Sequence, residues 1–196
     1  MVDRPILFSG DMIRALLHGR KTQARRDIAK GVKWDYLWEL EEAKSGDDLK
    51  HLPCIHVGDV LWVRERFAYK HAIPEDKARD KRWYGVVYEA DGDPTGFGIS
   101  DLKPAIFMPR WASRITLIVT DVRVERLQDI SEGDALAEGI ERCHFPERGD
   151  WGWPQKRYRD LWDAINGAGA WEENPWVAAC TFTVIKQNID QIDRAA

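Results

Sequence analysis

Apolar and polar positions along the chain alternate between helical and extended periods, and the changes of period mark the elements. Arg4-Pro5-Ile6-Leu7-Phe8 is a short apolar run that predicts a first strand. Ser9-Gly10-Asp11 offers capping groups for a helix whose apolar positions, 12, 13, 16 and 17, follow helical spacing until Gly19 ends it. After the turn at Val57-Gly58-Asp59, the run Val60-Leu61-Trp62-Val63 reads as a buried strand, continuing into Arg64-Glu65-Arg66-Phe67. Residues 82–90 form another strand candidate, closed by Asp91-Gly92-Asp93-Pro94. Pro109 argues against a central strand over 106–114. Residues 115–127 are the clearest β stretch, with Val122 and Val124 on one face and Arg123 and Glu125 on the other. Ser131-Glu132-Gly133-Asp134 resembles a capping box for a short helix that Gly139 stops. Tyr158, Leu161, Trp162 and Ile165 predict an amphipathic helix ended by Asn166-Gly167, and residues 176–186 predict a last strand.

The rest is punctuation. Residues 34–50 form an acidic, tryptophan-bearing patch expected to be a short helix or an inserted loop, and 70–82 and 142–156 read as loops. The polar tail from Gln187 onward is expected to fray. Five strand candidates among three or four helices, without regular βαβ alternation, predict an α+β fold; a small, partly closed β-barrel with surrounding helices fits the strand lengths. The expectation is one domain over 1–187, with insertions near 30–52 and 70–105 and a polar tail over 188–196.

Composition changes the picture in two places. The 196 residues carry 10 tryptophans; an aromatic-rich core is the plainer reading for most of them, and some can also offer flat stacking surfaces. The net charge of −4 argues against a bulk nucleic-acid binder, but it is unevenly distributed. Residues 1–33 hold eight Lys and Arg against three Asp, a net +5, which leaves −9 for the remainder. A local basic site on an acidic body suits a compact nucleotide-type ligand. The 3 cysteines are widely spaced, without metal-ligand or disulfide-framework spacing, and no cofactor is implied. Neither a membrane-spanning run nor a signal-peptide pattern is seen, so a cytoplasmic protein without a membrane partner is expected.

Two constellations carry candidate chemistry. The first is His18-Gly19-Arg20-Lys21-Thr22-Gln23-Ala24-Arg25-Arg26, four cations and a hydroxyl following the first helix; a solvated basic turn is its plainer reading. The second is Arg64-Glu65-Arg66 at the end of the buried strand, either a structural salt bridge or a carboxylate placed to shuttle a proton. Arg110, Trp111 and Arg114 add a possible phosphate-plus-base contact, with a guanidinium packed on indole as the structural alternative.

These motifs resemble the ASCH family of the PUA-like superfamily. The pattern G-x-K-x-x-T-x-R matches at Gly19, Lys21 and Arg26, and G-D-x-L-x-V followed by an acid matches at Gly58-Asp59-Val60-Leu61-Trp62-Val63-Arg64-Glu65. Residues 108–136, Leu161-Trp162-Asp163 and Asn174-Pro175-Trp176 are similar to a long form carried by phages and prophages. The resemblance implies a curved, partly closed barrel with a cleft for a nucleotide or RNA. Some small members are amidohydrolases acting on N(4)-acetylcytidine through a lysine, a threonine and a glutamate; other relatives are ribonucleases or RNA-binding modules.

Carried over by position, Lys21 is the base and Glu65 the proton shuttle, but the threonine position is Ala24. Thr22 lies two residues earlier, displaced by roughly 7 Å in an extended segment, so a water activated by Lys21 and Glu65 is the alternative attacker. Lys21 serves as a base only if its pKa falls well below about 10.4, through desolvation or the neighbouring arginines. Arg20, Arg25, Arg26, Arg64 and Arg110, with Trp62 and Trp111, are the candidate ligand contacts. Three functions therefore stand open: deacylation of an N(4)-acylated cytidine-type nucleoside, non-catalytic recognition of RNA or a modified base, and ribonuclease action in the same basic cleft.

Overall fold

The computed structural model describes residues 3–28, 55–70, 85–96, 98–142, 144–145, 150–151 and 153–192. The expected element over 34–50 and the loop over 71–82 lie outside them. Among the described residues the strands are β1 (Asp3–Leu7), β2 (Gln23–Asp27), β3 (Val60–Arg64), β4 (Phe67–Lys70), β5 (Gly85–Tyr88), β6 (Thr116–Arg126), β7 (His144–Phe145), β8 (Asp150–Trp151) and β9 (Trp176–Ile185). The helices are α1 (Gly10–Leu17), α2 (Glu132–Ala137) and α3 (Pro154–Asn166). The class is α+β, as the sequence predicts. Its main sheet has the order β1-β3-β6-β9-β2 and is open rather than closed, and β4-β5 and β7-β8 form two-stranded sheets.

Two compact units make up the chain. The first comprises Met1–Leu17, Val60–Leu117 and Val184–Ala196; the second comprises His18–Asp59 and Ile118–Thr183.

In the first unit, β1 pairs parallel with β3, matching Leu7 to Arg64 and Pro5 to Trp62. The predicted strand through Phe67 breaks after Arg64: β4 leaves to pair with β5, and Phe67 exchanges backbone hydrogen bonds with Lys103. Helix α1 buries Ile13, Ala15 and Leu16, and Arg14 donates to the Ala90 carbonyl at 3.4 Å. The segment around Pro109 forms two short 3-10 turns, Ala105–Phe107 and Arg110–Ala112, in place of a strand. Phe67, Met108 and Ala112 form one apolar cluster, and Val60, Trp62 and Ile189 another.

Ile189 belongs to the tail that the sequence leaves to fray. The tail folds back because it carries its own anchors. Asn188 donates through Nδ2 to the carbonyls of Arg110, Trp111 and Ser113, at 2.9, 3.2 and 2.7 Å. Asp190 accepts from the Arg110 guanidinium at 2.7 Å.

In the second unit, β2 pairs antiparallel with β9, Gln23 opposite Thr181 and Asp27 opposite Val177. The predicted capping box is present: Ser131 Oγ accepts from the Asp134 amide at 3.0 Å, and Asp134 accepts from the Ser131 amide at 3.3 Å. Helix α3 packs Tyr158 and Trp162 against Leu127, Ile130, Ala135 and Val177. Its proline at the first turn is pre-set for a helix start.

Candidate functional site

The basic stretch is not a solvated turn. Gly19 takes a positive φ of 72° where α1 has ended, and the chain then runs into β2 with Lys21 bridged to Glu138. Lys21 is fully buried. Its ammonium donates to Glu138 Oε2 at 2.6 Å and to the Glu138 carbonyl at 2.9 Å. Burial pulls the Lys21 pKa below its ordinary value, Glu138 opposes that pull, and Arg26 and Arg25 lower it further. Desolvation, more than the crowd of arginines, is therefore what depresses it.

Arg25 completes the cluster. Its guanidinium donates to Glu125 Oε1 at 2.6 and 3.0 Å, to Gln23 Oε1 at 2.7 Å and to Glu138 Oε1 at 3.3 Å, and Asp134 lies at 3.5 Å. Tyr158 donates its hydroxyl to Glu138 at 3.4 Å, and burial, then the Glu138 charge, raises its pKa. Of the two roles that suit Arg25, anion holder or salt-bridge partner, the structure shows the second. Arg26 is half-buried, and Arg20 pairs with Glu141 at the surface. Thr22 is exposed where Lys21 is buried, and its backbone bonds to Ala137 and Phe182. Ala24 is buried opposite Cys180.

The second constellation lies in the first unit. Glu65 follows β3 and is buried; both its oxygens accept from Arg114, at 2.9 Å each, in the bidentate fork that a guanidinium favours. Burial raises the Glu65 pKa, and the Arg114 contacts restrain the rise. Arg114 also donates to Asp91 at 2.7 Å and lies 3.9 Å from the centre of the Tyr88 ring. Lys21 and Glu65 thus fall in different units, each with a partner of its own.

The remaining predicted contacts divide. Trp62 is a core side chain, 7% exposed, with the Arg64 guanidinium carbon 4.5 Å from its ring centre. Arg64 donates to the Ile106 carbonyl at 3.2 Å. Arg110 is bound by Asp3 and Asp190, each at 2.7 Å. Trp111 is 56% exposed although its ring stacks on Tyr69, with centroids 6.3 Å apart and planes 24° apart. Tyr69 in turn meets Phe67 edge-on at 5.2 Å, and the Lys103 ammonium lies 5.9 Å from the Tyr69 ring.

Sequence reasoning missed Glu138 and Glu125, which hold the buried cations Lys21 and Arg25, and Tyr158, which donates to Glu138. One signal was available: Glu138 ends α2, where a carboxylate opposes the helix dipole and so calls for a cation elsewhere.

No family model matches the sequence, and no curated protein matches it. Two solved structures are similar over most of the chain. An ASCH domain from Lactobacillus crispatus shares 14% identity, covering 93% of this chain and 79% of its own, with a TM-score of 0.40. A DUF984 protein from Enterococcus faecalis shares 11% identity, covering 99% and 86%, with a TM-score of 0.43. Identities this low carry no residue-by-residue correspondence.

Proposed function

We propose that the chain is a nucleotide- or RNA-binding protein that stacks a base on Trp111. The observation that carries this reading is the exposed indole held on Tyr69. A pre-ordered aromatic surface beside a cation is what an unpaired base needs, and base–aromatic stacking contributes roughly 1–3 kcal/mol per base. The Phe67–Tyr69–Trp111 series holds the surface in place, and Lys103 supplies charge beside it. The test is anisotropy titration of a labelled single-stranded RNA with wild type and Trp111→Ala. Binding is expected to weaken by about ten- to a hundredfold, matching that stacking range. Equal affinity of the two proteins overturns the reading.

A second reading is hydrolysis of an acyl group from the exocyclic amine of a cytidine-type nucleoside, with the buried Lys21, held by Glu138 and lowered in pKa by desolvation, as the base. With Ala24 in the threonine position, water is the attacking group. Acyl release from N(4)-acetylcytidine that survives Lys21→Met removes Lys21 from the chemistry. Absence of release by wild type leaves binding as the function.

A further inference from the structure

We propose that Arg64 receives the phosphate of a nucleoside monophosphate, free or at the end of an RNA, whose base lies on the apolar rim of Leu7, Ile106 and Phe107. This rests on the reading that the chain binds nucleotides, and it gives them a second base position besides the one on Trp111.

Arginines of the first unit near this end of β3 are neutralised, with one exception. Arg66 pairs with Glu89, Arg110 with Asp3 and Asp190, and Arg114 with Glu65 and Asp91. Arg64 has no carboxylate among the described residues. Of the five N–H groups that a guanidinium carries, it uses one, toward the Ile106 carbonyl. Its Nε is buried and meets no acceptor. Buried donors are nearly always satisfied, so Arg64 keeps hydrogen-bonding capacity that an acceptor, an anion among them, can take up.

The cation is also fixed in direction. It lies over the Trp62 ring, which is itself packed with Val60 and Ile189, so the guanidinium plane is set before any ligand arrives. The surroundings are apolar rather than basic. Leu7 is the register partner of Arg64 on the parallel neighbour β1, so both side chains lie on one face of the sheet. Leu7 is 45% exposed, and Ile106 and Phe107, in the turn whose carbonyl Arg64 holds, are 60% and 69% exposed.

One unpaired guanidinium, flanked by neutralised neighbours, suits one anionic group and disfavours a polyphosphate or a duplex backbone, which need several cations. The exposed phenyl ring of Phe107, next in sequence to the Ile106 carbonyl that Arg64 holds, suits a planar body attached to that anion. Those two demands together describe a base carrying a single phosphate.

Calorimetric titration of the full chain with 5′-CMP, cytidine and inorganic phosphate tests the assignment. Wild type is expected to bind 5′-CMP at least tenfold more tightly than cytidine or phosphate. Arg64→Gln is expected to bind 5′-CMP and cytidine alike, and Phe107→Ala to weaken both while preserving their ratio. Because Arg64 has no ion-pair partner to strand among the described residues, unchanged circular dichroism of Arg64→Gln is the accompanying control. A short RNA with a 5′-phosphate, set against the same RNA with a 5′-hydroxyl, separates a chain end from a free nucleotide. Cytidine and RNA binding with no preference for phosphate, or a preference that survives Arg64→Gln, overturns the Arg64 site alone. Binding of neither nucleoside, nucleotide nor RNA overturns the nucleotide-binding reading and the site with it.

Discussion

The cations at the start of β2 and the cation at the end of β3 look alike in sequence and are used in opposite ways. Lys21 and Arg25 are buried and saturated by Glu138, Glu125, Asp134 and Gln23. Arg64 is half-buried, with one carbonyl and one indole face for company. Removing a cation from water costs several kcal/mol unless carboxylates surround it, so the first pair requires its partners in order to fold. A guanidinium that keeps contact with solvent has no such requirement and retains its donors for a ligand. A run of Lys and Arg therefore marks where charge is concentrated, while the carboxylates contributed by distant segments decide whether that charge is available.

The sharpest way to break this contrast is to strip the saturated cluster. Glu138→Ala leaves the Lys21 ammonium without its carboxylate and deprives Arg25 of one, and it should lower unfolding free energy by about 3–5 kcal/mol in a urea titration. Lys21→Met combined with Glu138→Leu should recover most of the loss, because an apolar pair of similar volume removes the desolvation problem. A loss below about 1 kcal/mol for Glu138→Ala would sink the claim that the cluster is structural. Next in size is Glu65→Ala. Arg114 keeps Asp91, so the cost should be about 1–3 kcal/mol, clearly below that of Glu138→Ala in the same assay.

A smaller effect comes from pH. Asp134 is held down to about 2: burial opposes its ionisation but is outweighed by the Ser131 hydroxyl, Arg123 and Arg25. Its folded pKa lies below its unfolded value, so its contribution is complete above about pH 4 and is lost as the pH falls toward 2. Asp134→Asn should flatten that slope by on the order of 1 kcal/mol, read from urea midpoints at pH 5 and pH 3. The smallest effect marks the other side of the contrast. Arg64→Gln should leave stability within about 0.5 kcal/mol of wild type, since no ion pair is broken. A large loss there would make Arg64 as structural as Arg25.

Elements with local signals were legible in the sequence. The capping box at Ser131, the alternation through β6, and the apolar spacing of α1 and α3 each carry their own evidence within a dozen residues. Strand β2 was not legible, because Gln23-Ala24-Arg25-Arg26-Asp27 has no apolar period. It is a strand because β9 pairs with it and because Glu125 and Glu138, a hundred or more residues onward, neutralise its buried Arg25. The candidate site divides in the same way. Local motif reading singled out Lys21, Glu65 and Trp111, but the partners Glu138 and Arg114 come from elsewhere in the chain, and the burial of Arg25 has no local signal.

The hold of Asn188 on the carbonyls of Arg110, Trp111 and Ser113 bears on how the protein is handled at the bench. The turn that presents Trp111 is held in part by one side-chain amide that follows β9. Trimming that end back to Gln187, a routine choice for a polar tail, removes this amide and the Asp190 anchor together. Such a shortened protein can keep its sheet and still lose the geometry of its indole. A negative binding result obtained with it would report on the missing anchors rather than on the protein.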